Sequence, residues 1–241
     1  MQKQIFIGLI ILLGTLPSNT IAQTYTKNKY GLEIIDNVEN YQLLIEKDST
    51  LKLVPLDQYI DHLKIDFVYA TTKNFTHTIL YKNPKPYLRL PAAKALRQVA
   101  IALKKRGLGI VIFDAYRPYF VTEKMWKVVP DARYAANPKN GSGHNKGISV
   151  DLSLYYLSTG KLLQMPTGFD NFTNKASQDY MQLPAAVIEN RNILKRVMEQ
   201  HGFKILSTEW WHFSFPNSNG KYHIINLNFD ELARIVKENK N

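Results

Sequence analysis

The chain has no cysteine. It therefore has no disulfide framework and no lipid-modified cysteine at an export cleavage site, and any zinc it holds must sit on histidine and carboxylate ligands. After residue 22 it also lacks an apolar run approaching the ~20 residues that span a bilayer, and it shows no solenoid, collagen or coiled-coil repeat. Acidic residues are in short supply: 20 Asp and Glu stand against 31 Lys and Arg, for a net charge of +11. A basic balance can signal nucleic acid or an anionic envelope, but here the cations are scattered and no helix is basic along one face. The densest group, Lys104-Lys105-Arg106, falls in the last turn of a predicted helix, where positive charge offsets the helix dipole. No nucleic-acid partner is expected. What the chain does have is 45% hydrophobic residues, with 14 Tyr and 11 Phe in 241 positions, enough to bury the core of a single domain.

The first 22 residues differ from the rest. Lys3 is the only charged side chain there, Ile5 to Leu16 is apolar apart from Gly8, Gly14 and Thr15, and Thr20-Ile21-Ala22 puts small residues around a cut after Ala22. A charged start, an apolar run and a small-residue cleavage site make a secretory signal. Residues 1–22 are read as a signal peptide and 23–241 as one domain, periplasmic or secreted, with no membrane span after cleavage. An uncleaved N-terminal anchor is the other reading.

Residues 23–50 are polar and mixed and read as an extended lead-in. Pro91 opens a helix over 92–106, with Leu96, Val99, Ala100 and Leu103 on one face and Gly107 as its stop. Gly109 to Phe113 reads as a buried strand ending at the turn Asp114-Ala115-Tyr116-Arg117-Pro118, followed by a short helix from Tyr119 to about Lys127. The stretch 148–154 alternates as a strand, burying Ile148, Val150, Leu152 and Leu154 and placing Ser149, Asp151 and Ser153 on the other face. A helix over 185–201, strands at 203–206 and 211–215, and an amphipathic helix capped by Asn228 complete the pattern. Helices beside a small antiparallel sheet make an α+β fold.

Two segments carry candidate chemistry: Ser142-Gly143-His144 through Asp151, and Glu209-Trp210-Trp211-His212. A catalytic zinc takes three protein ligands and keeps a position open for water. His144, in a Gly-flanked turn, enters the strand whose polar face carries Asp151, and His212 on a second strand can supply a third ligand. Glu209 and His212, three apart, would face opposite ways in a continuous strand, so Glu209 is expected in the turn before it. On residue type alone each has a second reading: a histidine among aromatics is commonly a satisfied half-buried one, and a strand aspartate is commonly solvated. Trp210 and Trp211 read as core and pocket wall. His201, beside Gly202, reads as a helix-end residue.

These segments resemble the S-x-H-x-x-G-x-x-x-D and E-W-W-H signatures of the D-alanyl-D-alanine dipeptidases, the VanX-like zinc D,D-peptidases. Tyr69-Ala70-Thr71 with Asn74-Phe75-Thr76, then Asp114 to Pro118, then Met165 with Phe169-Asp170 resemble further family motifs, in order, over about residues 60–215. The resemblance implies the α+β fold shared with D-Ala-D-Ala carboxypeptidases and the hedgehog signalling domain. It implies one zinc per chain on His144, Asp151 and His212, with Glu209 as general base and Arg117 as transition-state stabiliser. It implies that Ser142 and Asp170 hold the free ammonium of a small dipeptide. His62, His77, His201 and His223 match no ligand position.

The chain departs from the pattern in its export signal, in a short loop between Arg117 and Ser142, and in Gly143 after Ser142. These departures bear on substrate range more than on the hydrolytic chemistry. The expected activity is hydrolysis of D-Ala-D-Ala or a related D-dipeptide outside the cytoplasm, linked to cell-wall peptide turnover. The alternatives are a D,D- or L,D-carboxypeptidase trimming peptidoglycan stems, disfavoured by Asp170, and a non-catalytic zinc-binding module, disfavoured by Glu209 and Arg117.

Overall fold

The computed structural model describes residues 25–238, so the signal segment expected at 1–22 lies outside the described residues. The elements run β1 (Thr26–Lys27), β2 (Glu33–Ile35), α1 (Val38–Lys47), β3 (Leu53–Pro55), β4 (Lys64–Ile65), β5 (Tyr87–Arg89), α2 (Leu90–Lys104) and β6 (Leu108–Asp114). They continue with α3 (Tyr119–Val128), β7 (Ser149–Tyr156), α4 (Ala185–Gln200), β8 (Lys204–Leu206), β9 (Glu209–Ser214), β10 (Ile224–Ile225) and α5 (Phe229–Glu238). Among the described residues no helix is long and apolar enough to cross a membrane.

The helices form where their ends are satisfied and one face is apolar. Pro91 sits in the first turn of α2, where its missing N–H costs nothing, and Ala92, Ala93, Leu96, Val99 and Leu103 are buried along the inward stripe. Asn228 and Glu231 cap α5 reciprocally: the Glu231 N–H donates to Asn228 Oδ1 at 2.9 Å and the Asn228 N–H to Glu231 Oε2 at 2.7 Å. His201 is the C-terminal cap of α4, as expected, its Nδ1 lying 2.8 Å from the Val197 carbonyl. The extended lead-in expected over 23–50 is not what forms. Asn37 accepts from the Asn40 N–H and starts α1, whose Tyr41, Leu44 and Ile45 are buried. Only three of its ten residues are buried, and its five apolar side chains alternate with five polar or charged ones too irregularly to register as a helical stripe.

The site is positioned by a five-stranded sheet of order β4-β6-β7-β9-β8. Its four longer-range partners β6, β7, β9 and β8 pair antiparallel, but β4 joins β6 in parallel, and β10 joins β2 in parallel in a separate small sheet. The expected antiparallel sheet is present in β6, β7, β9 and β8, and the two-residue segments β4 and β10 add parallel pairing. Each is reached by a long connection rather than a hairpin, and a crossover of that length permits parallel pairing.

β7 is the centre. Val150, Leu152 and Leu154 pack into the core cluster with Leu96 and Val99 of α2, Leu194 and Val197 of α4, and Phe213 of β9. The opposite face, expected to be polar, is buried as well: Ser149, Asp151 and Ser153 are at most 3% exposed. The segments after β4 and β7 fold over it, bringing Tyr69, Phe169 and Phe172 onto Trp211 and one another. Alternation correctly sorted the two faces; it could not reveal the second cover, which comes from residues distant in sequence.

Candidate active site

Sheet register builds the site. Asp151 on β7 stands directly beside Asp114 on β6 and His212 on β9, so three polar side chains cross the sheet in one row. A bulge in β6 between Ile112 and Asp114 re-aims the end of that strand. His144 joins from the turn before β7. That turn is pinned through Asn145, whose side-chain amide donates to the Arg117 carbonyl and to Thr122 Oγ1, both at 2.9 Å, while its Oδ1 accepts from the Ser142 N–H at 3.0 Å. Gly147 has φ +68°, and a Cβ there would lie 2.4 Å from Leu53, so neither its backbone nor its surroundings admit a side chain.

His144 Nδ1 lies 2.7 Å from the Ala115 carbonyl, an acceptor only, so Nδ1 carries the proton and Nε2 faces inward. His144 Nε2 is 3.4 Å from Asp151 Oδ2 and 3.2 Å from His212 Nδ1, and His212 Nδ1 is 2.9 Å from Asp151 Oδ1. Donors held about 2.1 Å from a tetrahedral zinc stand roughly 3.4 Å apart. The cluster therefore fits such an ion: two nitrogens and a carboxylate, converging, with His144 and Asp151 buried. Without the ion, protons take its place. Burial opposes charge on His144, but Asp151 and Asp114 outweigh it and raise its pKa. Burial likewise opposes charge on Asp151, yet the two imidazoles hold its carboxyl well below the usual carboxylate range.

Glu209 is the first residue of β9, not in the preceding turn as expected. A register shift where Leu206 pairs with Glu209 breaks the alternation, so its Oε2 comes within 4.0 Å of His212 Nδ1 on the same side. Burial, then repulsion from Asp151, pushes its pKa up to about 7, the range that suits a base working near neutrality. Arg117 is 6% exposed. Its Nε and Nη2 donate to Asp114 Oδ2 at 2.9 and 2.6 Å, while Asp114 Oδ1 accepts from Tyr81 Oη and the Ala115 N–H. Burial works against the guanidinium charge, but Asp114 more than restores it.

Asp170 sits at φ 59° in the loop after β7, in the left-handed region that aspartate tolerates better than most residues. Its Oδ1 accepts from Tyr69 Oη at 3.1 Å, and its Oδ2 is buried with no partner. Burial, then Asp151, raises its pKa to about 7. Ser142 Oγ accepts from the Asn145 N–H at 3.2 Å.

All seven expected site residues line one cavity of about 160 Å³, small against the roughly 300–1,000 Å³ of pockets for drug-sized ligands. Trp211 is pocket wall and Trp210 is core, its Nε1 donating to Thr167 Oγ1 at 2.9 Å. Four further contributors had no role assigned from sequence. Asp114 orients Arg117, and Tyr69 braces Asp170. Tyr134 and Phe172, edge to face at 4.6 Å, line the same cavity. The Asp114–Arg117 spacing of three in a turn after a strand was a usable signal for the first; the aromatic pair, 38 residues apart, left none.

The peptidase M15 family profile, described as D-ala-D-ala dipeptidase, matches residues 49–231. The D-alanyl-D-alanine dipeptidase of Escherichia coli K12 is 33% identical over 170 residues, covering 70% of this chain and 88% of that protein. Those of Enterococcus faecalis V583 and Streptomyces coelicolor A3(2) are 29% and 31% identical, each covering 66% of this chain, and 88% and 89% of their own lengths. Among solved structures, the LD-carboxypeptidase LdcB aligns over 90% of this chain at 18% identity and a TM-score of 0.42, too distant to bear on the reaction.

Proposed function

The chain belongs to the M15 peptidase family of D-Ala-D-Ala dipeptidases, and on that footing we propose that it is an exported, zinc-dependent dipeptidase acting on D-Ala-D-Ala or a closely related D-configured dipeptide. The observation that carries the dipeptidase reading is Asp170, which lines the cavity and whose Oδ2 is buried without a partner. A buried carboxylate oxygen without a donor is costly, and a substrate ammonium supplies both the missing donor and the opposite charge. A carboxypeptidase would have to lead a longer chain past that oxygen. The lead segment 1–22 supports export.

His144 Nε2, Asp151 and His212 Nδ1 would hold the zinc, which when bound supplies Lewis acidity toward the scissile carbonyl and makes water more acidic. The chain's own residues do the rest. Asp170, braced by Tyr69, fixes the ammonium end of the dipeptide. Glu209 removes a proton from the attacking water and delivers it to the leaving amine, so that water adds across the peptide bond: hydroxyl to the acyl carbon, hydrogen to nitrogen. Arg117, aligned by Asp114, donates to the carbonyl oxygen as negative charge develops on it.

The test is a substrate panel of D-Ala-D-Ala, N-acetyl-D-Ala-D-Ala, L-Ala-L-Ala, D-Ala-D-lactate and a stem pentapeptide, run on zinc-loaded and EDTA-treated protein. Hydrolysis of the free D-dipeptide alone among the peptides, lost with EDTA and restored by zinc, is expected. Cleavage of the pentapeptide with the free dipeptide untouched would make the protein a carboxypeptidase, and full activity in EDTA would overturn the metal assignment.

A further inference from the structure

We propose that the hydroxyls of Ser214 and Ser149 act as positioning residues for His212, holding its ring in place whether the inner nitrogen carries a proton or a metal, with Gly143 leaving the space they need. The inference rests on the metal-site reading above. The two histidines of the cluster are braced differently. His144 Nδ1 faces a carbonyl, which can only accept. His212 Nε2 faces Ser214 Oγ at 3.0 Å, and Ser214 Oγ lies 2.6 Å from Ser149 Oγ. Ser149 and Ser214 are register partners on β7 and β9, so the hydroxyl pair is part of the sheet rather than a mobile contact.

A hydroxyl both donates and accepts. With a proton on Nδ1, His212 donates to Asp151 Oδ1 at 2.9 Å, and Nε2 then accepts from Ser214 Oγ. When Nδ1 gives up that proton to ligate, Nε2 becomes the donor, Ser214 accepts, and Ser214 passes its own proton toward Ser149. The ring need not turn. A carbonyl in place of Ser214 would fit only the second state. Gly143 completes the arrangement: a Cβ there would lie 1.9 Å from Ser149 Oγ and 3.1 Å from Ser149 Cβ, so any other residue displaces that hydroxyl.

The experiment measures zinc affinity of metal-free protein by competition with a chromophoric chelator, alongside the visible spectrum of the cobalt-substituted form and the thermal midpoint without metal. Loss of a metal histidine's outer partner weakens binding about 10–100-fold. S214A is expected to weaken zinc by that factor and to alter the cobalt spectrum, while S214T, which keeps the hydroxyl on a strand-compatible side chain, restores both. S149A and G143A should each weaken zinc by less than S214A, and G143A/S149A should be no weaker than either alone, because both remove the same hydroxyl. Zinc binding by S214A within twofold of the wild type, with an unchanged cobalt spectrum, overturns the inference even if its thermal midpoint falls; so do additive G143A and S149A effects. A wild-type protein that binds no zinc overturns the metal-site reading and this inference together, whereas tight wild-type binding with S214A unaffected removes only the inference.

Discussion

Asp170→Asn should stabilise the metal-free protein at alkaline pH while damaging its function. Asp170 is raised from its ordinary 3.8 to about 7 by burial and by Asp151. Between those values the folded protein holds a proton that the unfolded chain has lost. Wild-type stability therefore falls as pH rises through that window and levels off above it. A shift of about three units at 1.36 kcal/mol each comes to about 4 kcal/mol by pH 8. Asparagine suits the left-handed φ of 59°, keeps an oxygen for Tyr69 and carries no charge. Its amide group, buried where Oδ2 has no partner, costs about 1–3 kcal/mol. The net gain at pH 8 is then about 1–3 kcal/mol, and at pH 5, where only about 1.6 kcal/mol of the wild-type loss has accrued, it falls to near zero or slightly below. Urea unfolding in EDTA at the two pH values measures this, and other titrating groups cancel in the difference between the two proteins. An Asp170→Asn variant no more stable than wild type at pH 8, or differing equally at both pH values, would refute the reasoning. The same variant should raise KM for the free dipeptide at least tenfold, since the charge-assisted bond it loses contributes about 1.5–3 kcal/mol.

Glu209→Gln should lower kcat about 10²–10⁴-fold while zinc content stays stoichiometric; metal analysis beside steady-state kinetics checks both. Arg117→Lys keeps the charge but loses the paired grip on Asp114 Oδ2, so kcat should fall about 10²–10³-fold with KM changed little. Tyr69→Phe removes the hydrogen bond that pulls the Asp170 pKa down. The pH at which dipeptide binding is half lost on acidification should move upward, and an unchanged or lower value would count against Tyr69 as the brace.

Most of the element pattern was legible because it depends on local rules: Pro91 and Gly107 bracketing α2, the alternation of β7, the Asn228 cap of α5. The ligand triad was legible as residue types but not as a site. Nothing between positions 114 and 212 says that Asp114, Asp151 and His212 become neighbours in one row; that follows from β7 pairing with β6 on one side and β9 on the other. Glu209 failed the strand-alternation argument because a register shift is a tertiary event, produced by where β8 meets β9. Ser149 was legible only as a residue of the polar strand face and Ser214 carried no signal; their pairing depends on β7 meeting β9.

Charge supports the proposal that the site takes both a metal and an ammonium. Four carboxylates, Asp114, Asp151, Asp170 and Glu209, share a largely buried site with one guanidinium, Arg117, leaving three negative charges unbalanced. Arg117 accounts for Asp114, and the imidazoles hold Asp151 ionised. Glu209 and Asp170 have no such partner, and both are pushed to about 7, toward the neutral form. A divalent ion and one ammonium bring three positive charges, matching the deficit, while the dipeptide's carboxylate lies at its far end from the ammonium. On the proposed reading the metal-free site holds protons where the working site would hold cations, and exchanging them is measurable. At pH 6, His144, Glu209 and Asp170 carry protons that a divalent ion at the cluster competes with, so zinc binding should release more than one proton there and fewer at pH 8. Calorimetry in buffers of different ionisation enthalpy reads the number directly. Binding heats that do not depend on the buffer at pH 6 would mean that these protons are not standing in for the ion.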